Sequence, residues 1–513
     1  MMGAVNRSVK TMRDSTKLLS SQGVITLFSI FFFIIIARLL TKIEMSSLAV
    51  LGIITALSEK VTGLGLVTSC IQKAPELLAR GEKAKAYALM KLSVMVPVFL
   101  SFAAAAIVAL FSRQISQLFF KTPDLSALVK IMAVGIVVGK VWENLCHMLS
   151  VVEKFGQLSI VNVVSNVPAR MLALFLYFFL GMKGYISALI LGQGLAVLLM
   201  VYYLREFIFS RSGQYSLKEL LFYSVPYYGG DLLRFSHRQA DQFIIAVFLM
   251  PEQLATYFVA RRFFGYLILY TDALLRPIVP KISGLKTKGI QAIERAFNRT
   301  SRYLSFSLIP VSFLVASLAY PLLQIYGGSK YLGAAPILAI LSLTAIAYGI
   351  YYAYGMNVYI MGKPIKRFEQ EGMAGILNVG LGVCLVVPLN ILGSAMARVL
   401  SLSGAALFSR HLLKRLTNAR FDVAALRQTL LASGVMAGLI LGGQLLYYDL
   451  RVVPCYVLGG ILLYLFLFSR NLKREDLDLI SSYLPSRLLP LVKVIHFFGG
   501  RKLRQTLAYT LEG

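Results

Sequence analysis

Long, nearly uninterrupted apolar runs constrain this chain more than any other feature. Residues 24–40 and 95–111 are typical: each is long enough to cross a bilayer as a helix, and many such runs follow one another. Hydrophobic residues make up 58% of the 513 and charged residues only 15%, with mean hydropathy +0.72. A soluble chain of this length needs roughly a quarter of its residues charged to wet its surface. Soluble multidomain folds are thereby excluded, leaving an all-α polytopic membrane protein.

Breaks at charged or Gly- and Pro-containing turns divide the runs into about fourteen transmembrane helices. They are expected at 18–40, 45–70, 90–112, 126–151, 157–180, 184–206, 219–249, 253–279, 300–326, 332–361, 372–389, 392–412, 427–447 and 452–469. Alternate connections are basic: Lys73, Arg80, Lys83 and Lys85; Arg205, Arg211 and Lys218; Lys281, Lys286, Lys288, Arg295 and Arg299; Lys363, Lys366 and Arg367; Lys414, Arg415 and Arg420. The turns between them, at 181–184, 250–253 and 390–393, are short and nearly neutral. Positive charge collects on the cytoplasmic side, so both termini are expected there, and most of the net charge of +29 belongs to these loops. The first apolar run is too long for a cleavable leader, and none is expected. The tail 471–513 reads as a basic amphipathic segment on the inner leaflet.

The chain also repeats itself weakly at an offset of about 208 residues. VLGIITALSEKVTGLGLVTSCIQK (50–73) lies over FVARRFFGYLILYTDALLRPIVPK (258–281), and the turn 181–184 lies over 390–393. Two six-helix lobes are implied, 1–212 and 213–420, related by a pseudo-two-fold axis along the membrane normal. Two extra helices fill 421–470, and repeats of this kind meet at a central substrate cavity.

Ionisable residues at membrane depth are costly, and each marks a candidate site. In the seventh span Asp231, Arg234, Arg238 and Asp241 fall within an arc of about 80° on one helix face. In the eighth, Arg262, Asp272 and Arg276 share a face. Arg outnumbers Asp across the two, so an anionic ligand or a watery cavity is required, and the planar guanidinium suits a phosphate. The second span holds Glu59 and Lys60. The fourth holds Lys140, Glu143 and His147 at helical spacing, which reads as a self-satisfied structural ion network. The tyrosines of the tenth span, Tyr348, Tyr351, Tyr352, Tyr354 and Tyr359, read as an interfacial belt. Cys70, Cys146, Cys384 and Cys455 are scattered and read as small core residues with no disulfide framework or metal spacing. No Walker A sequence, dinucleotide fingerprint, paired-Asp motif or long outer loop is present. A membrane glycan polymerase or ligase would need such a loop or an acidic pair, so no enzymatic activity, cofactor or metal is expected.

The layout resembles the polysaccharide transporter family, the O-antigen or lipid-linked oligosaccharide flippases of the multidrug/oligosaccharidyl-lipid/polysaccharide exporter superfamily. EKVTGLGLVTSCIQK at 59–73, FYSVP at 222–226, ADQFIIA at 240–246 with ATYFVA at 255–260, and the Pro280, Lys281 exit carry the resemblance. It implies a cationic cavity lined by Arg234, Arg238, Arg262 and Arg276 with Lys60 opposite. A polyprenyl-diphosphate-linked oligosaccharide would cross the cytoplasmic membrane through it by alternating access. The chain departs from that pattern in placing Glu59 and Asp272 near those bases. Asp231, Asp241, Asp272 and Glu59 would hold the bases when the cavity is empty, or couple an ion. The implied partners are the lipid-linked glycan, membrane lipids and a polysaccharide polymerase or assembly machinery, with no nucleic acid, around a monomer. A lipid II flippase or a multidrug or cation antiporter of the same superfamily is the alternative.

Overall fold

The computed structural model describes the backbone of residues 2–469, apart from 212, 276, 277, 279–281, 283, 286–288, 362 and 363; side chains are described from Ser21 onward, with those of Tyr359 and Pro364 also left out. The tail 471–513 and Arg276 therefore lie outside the described residues. The described elements are helical, with no strand among them. In chain order they are α1 (Met2–Leu39), α2 (Lys42–Gly63), α3 (Leu66–Ala79), α4 (Lys83–Leu110), α5 (Ser112–Phe120), α6 (Ser126–Val151), α7 (Phe155–Tyr203) and α8 (Arg205–Ile208). The second half holds α9 (Leu217–Phe248), α10 (Pro251–Leu275), α11 (Ile290–Ser317), α12 (Ala319–Gly327), a 3-10 turn Gly328–Ala334, α13 (Ala335–Ile360), α14 (Pro364–Lys414), α15 (Val423–Leu446) and α16 (Val453–Ser469). α7 and α14 each turn back within themselves, at Gly181 and Asn390, and so supply two crossings apiece. The expected span list is matched helix for helix by this series, with α5, α8 and α12 as short connecting pieces.

Hydrocarbon admits only backbone that bonds to itself, which is why a helical reading extends through runs rich in Val, Ile and Phe. Local chemistry then fixes where the helices start. Thr41 and Glu44 form a reciprocal capping box before α2, Thr41 Oγ1 accepting from the Glu44 amide at 3.2 Å and Glu44 Oε2 from the Thr41 amide at 2.9 Å. Ser216 caps α9 and Asp422 caps α15. Seven stretches are long and apolar enough to cross a membrane on their own: Ser21–Leu39, Lys42–Gly63, Lys83–Leu110, Phe155–Tyr203, Ala319–Val358, Ile365–Lys414 and Val423–Leu446. α6, α9, α10 and α11 are not among them. Those helices carry most of the intramembrane charges.

The chain divides into two compact units. The first holds Met1–Phe258 with Asn378–Ser394, and the second Val259–Leu377 with Ala395–Gly513. Within the first, Leu66, Cys70 and Ala74 of α3 join Leu89 and Met90 of α4, Met148 and Leu149 of α6, and Met200 of α7 in one buried cluster. α9 packs on α2 and α3. The segment Asn378–Ser394 is held to α9 by Asn378, whose amide donates to the carbonyls of Ser236 (3.2 Å) and His237 (3.4 Å). In the second unit, Met436 and Ile440 of α15 and Tyr464 and Phe468 of α16 pack against Phe306 and Phe313 of α11.

Two sequence expectations need correction. Tyr348, Tyr351 and Tyr354 are buried in the second unit and do not form a belt. Cys384 and Cys455 are exposed, unlike the buried Cys70. In both cases hydropathy is blind to direction: an apolar helix has a protein side and a lipid side, and composition alone does not say which residue takes which.

Candidate functional site, an intramembrane charge face on α9

Ion pairing in the first unit is centred on Glu143 of α6. Its Oε2 accepts from Lys140 Nζ at 2.9 Å, and its Oε1 lies 3.8 Å from Lys60 Nζ of α2. Lys140 also donates to the Glu59 carbonyl at 3.0 Å, and its side chain is 3% exposed. A lysine that deep is tolerable only with such partners. Lys60, grouped from sequence with the arginines, is thus joined to the fourth-span set through Glu143. His147 sits half-buried one turn further along α6.

The α9 charges are arranged differently. Arg234 and Arg238 are both exposed, whereas Asp231 is half-buried and Asp241 is buried. Arg234 Nη2 donates to Asp231 Oδ1 at 2.6 Å, an i, i+3 pair. Asp241 accepts from the hydroxyl of Tyr257 on α10, 2.8 Å away, beneath the apolar contact of Ala240, Ile244 and Val386. The acid at the lower end of the face is therefore turned inward while the bases are turned outward. The accessible part of α9 is net cationic.

The remaining candidates belong to the second unit. Arg262 lies half-buried with its guanidinium carbon 5.9 Å from the Tyr266 ring centre. Asp272 is buried and accepts from Tyr348 at 3.3 Å. Sequence reasoning missed three features here. Arg398, fully buried, stacks on Phe264 at 5.2 Å. Arg367 donates to Glu371 at 2.6 Å and to Gln370 at 2.7 Å. Arg302 pairs with Asp422 at 3.4 Å. For Arg398 the signal was available, since it is a lone base in an apolar span, as Arg170 is. No group of three or more potential metal ligands occurs among the described residues.

Residues 35–336 match the polysaccharide biosynthesis protein family. Two Haloferax volcanii proteins are similar in sequence. One is named "Probable low-salt glycan biosynthesis flippase Agl15" (25% identity, 39% of this chain and 43% of the relative); the other is named "Probable flippase AglR" (24% identity, 51% and 57%). The chain thus spans only about half the length of these relatives. Among solved structures, lipid II flippase MurJ in an inward closed conformation superposes with TM-score 0.74 at 17% identity, over 88% of this chain and 98% of that one. An inward-facing MATE family transporter of the MOP superfamily gives 0.64 at 14%, over 76% and 95%. At such identities these two establish the fold, an all-α bundle of fourteen membrane helices. With the family match extending over more than half of its length, the chain belongs to the polysaccharide biosynthesis protein family, in the polysaccharide branch of the multidrug/oligosaccharidyl-lipid/polysaccharide exporter superfamily.

Proposed function

We propose that this protein is a flippase for a polyprenyl-diphosphate-linked oligosaccharide, carrying it across the cytoplasmic membrane by alternating access. The observation that supports it most directly is the accessible guanidinium pair on α9, Arg234 and Arg238, whose nearest helical acids are half-buried or buried. A diphosphate answers such a face better than a drug cation, which would want carboxylates outward. The planar fork of Arg makes two parallel bonds to one phosphate, and a partly desolvated setting strengthens each. Asp231 holds Arg234 while no substrate is bound, which limits the cost of the charge at membrane depth. The family resemblance extends the same role to Arg262 and Arg276. Names of relatives, "glycan biosynthesis flippase" and "lipid II flippase", agree in type of cargo.

The test is glycan export in cells lacking the native protein. Arg234→Ala and Arg238→Ala should each abolish export at undiminished membrane abundance, and the Lys variants should keep part of it, since Lys supplies charge without the fork. Normal export by both Ala variants sinks the reading.

A further inference from the structure

A second polar cluster lies outside the α9 charge face. It joins α3 to the first part of α9, within the first unit, at the helix ends that the basic loops assign to the cytoplasm. Ser224 donates to Ser69 at 2.8 Å, and Tyr227 and Tyr223 both reach Gln72 Oε1, at 2.6 and 3.4 Å. Lys73 is the centre of the group. Its Nζ stands 4.0 Å above the Tyr223 ring, 3.5 Å from Glu219 Oε1 and 3.4 Å from the Tyr215 hydroxyl, which itself donates to Glu219 at 3.2 Å.

Directly above this cluster the second span is broken. Leu64 (φ 48°) and Gly65 (φ 68°) both take left-handed backbone, ending α2 and starting α3. A Cβ on Gly65 would stand 2.7 Å from the Ser224 carbonyl oxygen and from the Tyr228 amide nitrogen, so the α9 backbone rests against the break. α9 carries Pro226 at that level, which removes one donor from its own ladder. Both helices are thus mechanically weak at the same height. Below it they are joined mainly by side chains.

Those joints are weak ones. Glu219 is 61% exposed, and a pair of that kind contributes about 0–1 kcal/mol, with a solvent-facing cation–π contact adding about 0.5–1 kcal/mol. The Lys140–Glu143 pair, by contrast, is short and buried. What holds Lys73 is a single carboxylate and polarised rings, which a diphosphate, with more charge and more acceptor oxygens, can outcompete. Lys73 also lies close in sequence to Arg80, Lys83 and Lys85, the loop expected at the headgroups of the inner leaflet.

We propose that α3 and residues 217–228 form an inner gate hinged at Leu64 and Gly65, and that Lys73 receives the substrate's diphosphate there, exchanging Glu219 for phosphate and so releasing the latch. The inference rests on the flippase reading and adds to it a residue for first contact, separate from the arginines.

Two measurements test it, in a chain whose four native cysteines are replaced. Ser69→Cys with Ser224→Cys sets two sulfurs where hydroxyls stand 2.8 Å apart. Oxidation should weld the gate and reduce glycan export to background, reduction should restore it, and each single variant should export normally. In the second, a Tyr228→Cys reporter in vesicles should be labelled by a membrane-impermeant maleimide several-fold faster once a polyprenyl diphosphate without sugar is added. Lys73→Ala should remove that response and Lys73→Arg should keep it, while Glu219→Gln should label fast without ligand. Export by the oxidised pair at the normal rate overturns the gate. A response equal for phosphatidylglycerol or inorganic pyrophosphate overturns the role of Lys73 in recognising the lipid-linked diphosphate. If the latch variants are silent while Arg234→Ala abolishes export, the gate falls and the flippase reading stands; if all are silent, both fall.

Discussion

Gly181 and Asn390 occupy the same backbone conformation, φ 59° with ψ −145° and φ 53° with ψ −140°, at the outer turns of α7 and α14. They are matched positions of the internal repeat. Each is succeeded three residues on by a glycine, Gly184 or Gly393, at which an added Cβ would run into the carbonyl oxygen of the preceding helix, Leu176 or Leu385. The repeat is therefore kept as turn geometry where sequence identity has nearly gone.

That conformation suits glycine and strains any residue with a Cβ. Asn390→Gly should raise stability by about 1 kcal/mol, read as a higher melting temperature in detergent. Gly181→Val should lower it by a similar or larger amount. Equal melting of all three proteins would show that the turns carry no strain.

Breaking the Glu143 network should be costly. Lys140→Met leaves a carboxylate at membrane depth with only Lys60, 3.8 Å away, and should destabilise by about 3 kcal/mol, seen as reduced monodisperse yield. Adding Glu143→Leu should recover much of that yield. Failure of the second change to help would mean that Lys140 acts mainly through the Glu59 carbonyl.

Tyr257→Phe removes the hydroxyl that donates to buried Asp241. A hydrogen bond to a charged group is worth about 1.5–3 kcal/mol, so the variant should melt earlier. Asp241→Asn, which needs the hydroxyl less, should soften the effect of Tyr257→Phe, and additive losses would rule the coupling out.

Membrane orientation can be read by labelling. Cysteines placed at Lys183 and Lys330 should react from outside intact cells, and those at Lys83 and Lys366 only after permeabilisation. The reverse pattern would invert every assignment of inner and outer sides.

Much of this was legible beforehand because membrane helices obey so few rules. Apolar length and alternating basic loops suffice to order the crossings, and Gly181 and Asn390 announce their turns by residue type. Partnership across helices was not legible. Lys60 sits beside Glu59 in the chain, yet its structural acid is Glu143 on another helix. Asp241 and Arg238 share an α9 face by spacing, yet one is buried under Tyr257 and the other is exposed. Helical periodicity fixes angles about one axis and carries no information on which neighbour fills which sector. The break at Leu64 was half visible, since the run Gly63-Leu64-Gly65 marks a weak point, but the approach of α9 that makes glycine necessary at 65 is tertiary.

The polarity of α9 has a consequence for how the chain is made. Neither α9 nor α10 is among the stretches apolar enough to cross unaided, and each central Arg or Asp costs about 2.5–3.5 kcal/mol on insertion. Two such segments in succession, joined by the tight turn at Leu249 and Met250, cannot leave the translocation channel for lipid one at a time. They must exit as a hairpin, onto a surface already in the membrane. α2 and α3, synthesised earlier and packed against α9 in the finished protein, supply that surface. The N-terminal half is in this sense the chaperone of the C-terminal half, and a chain begun at α9 would stall at the channel.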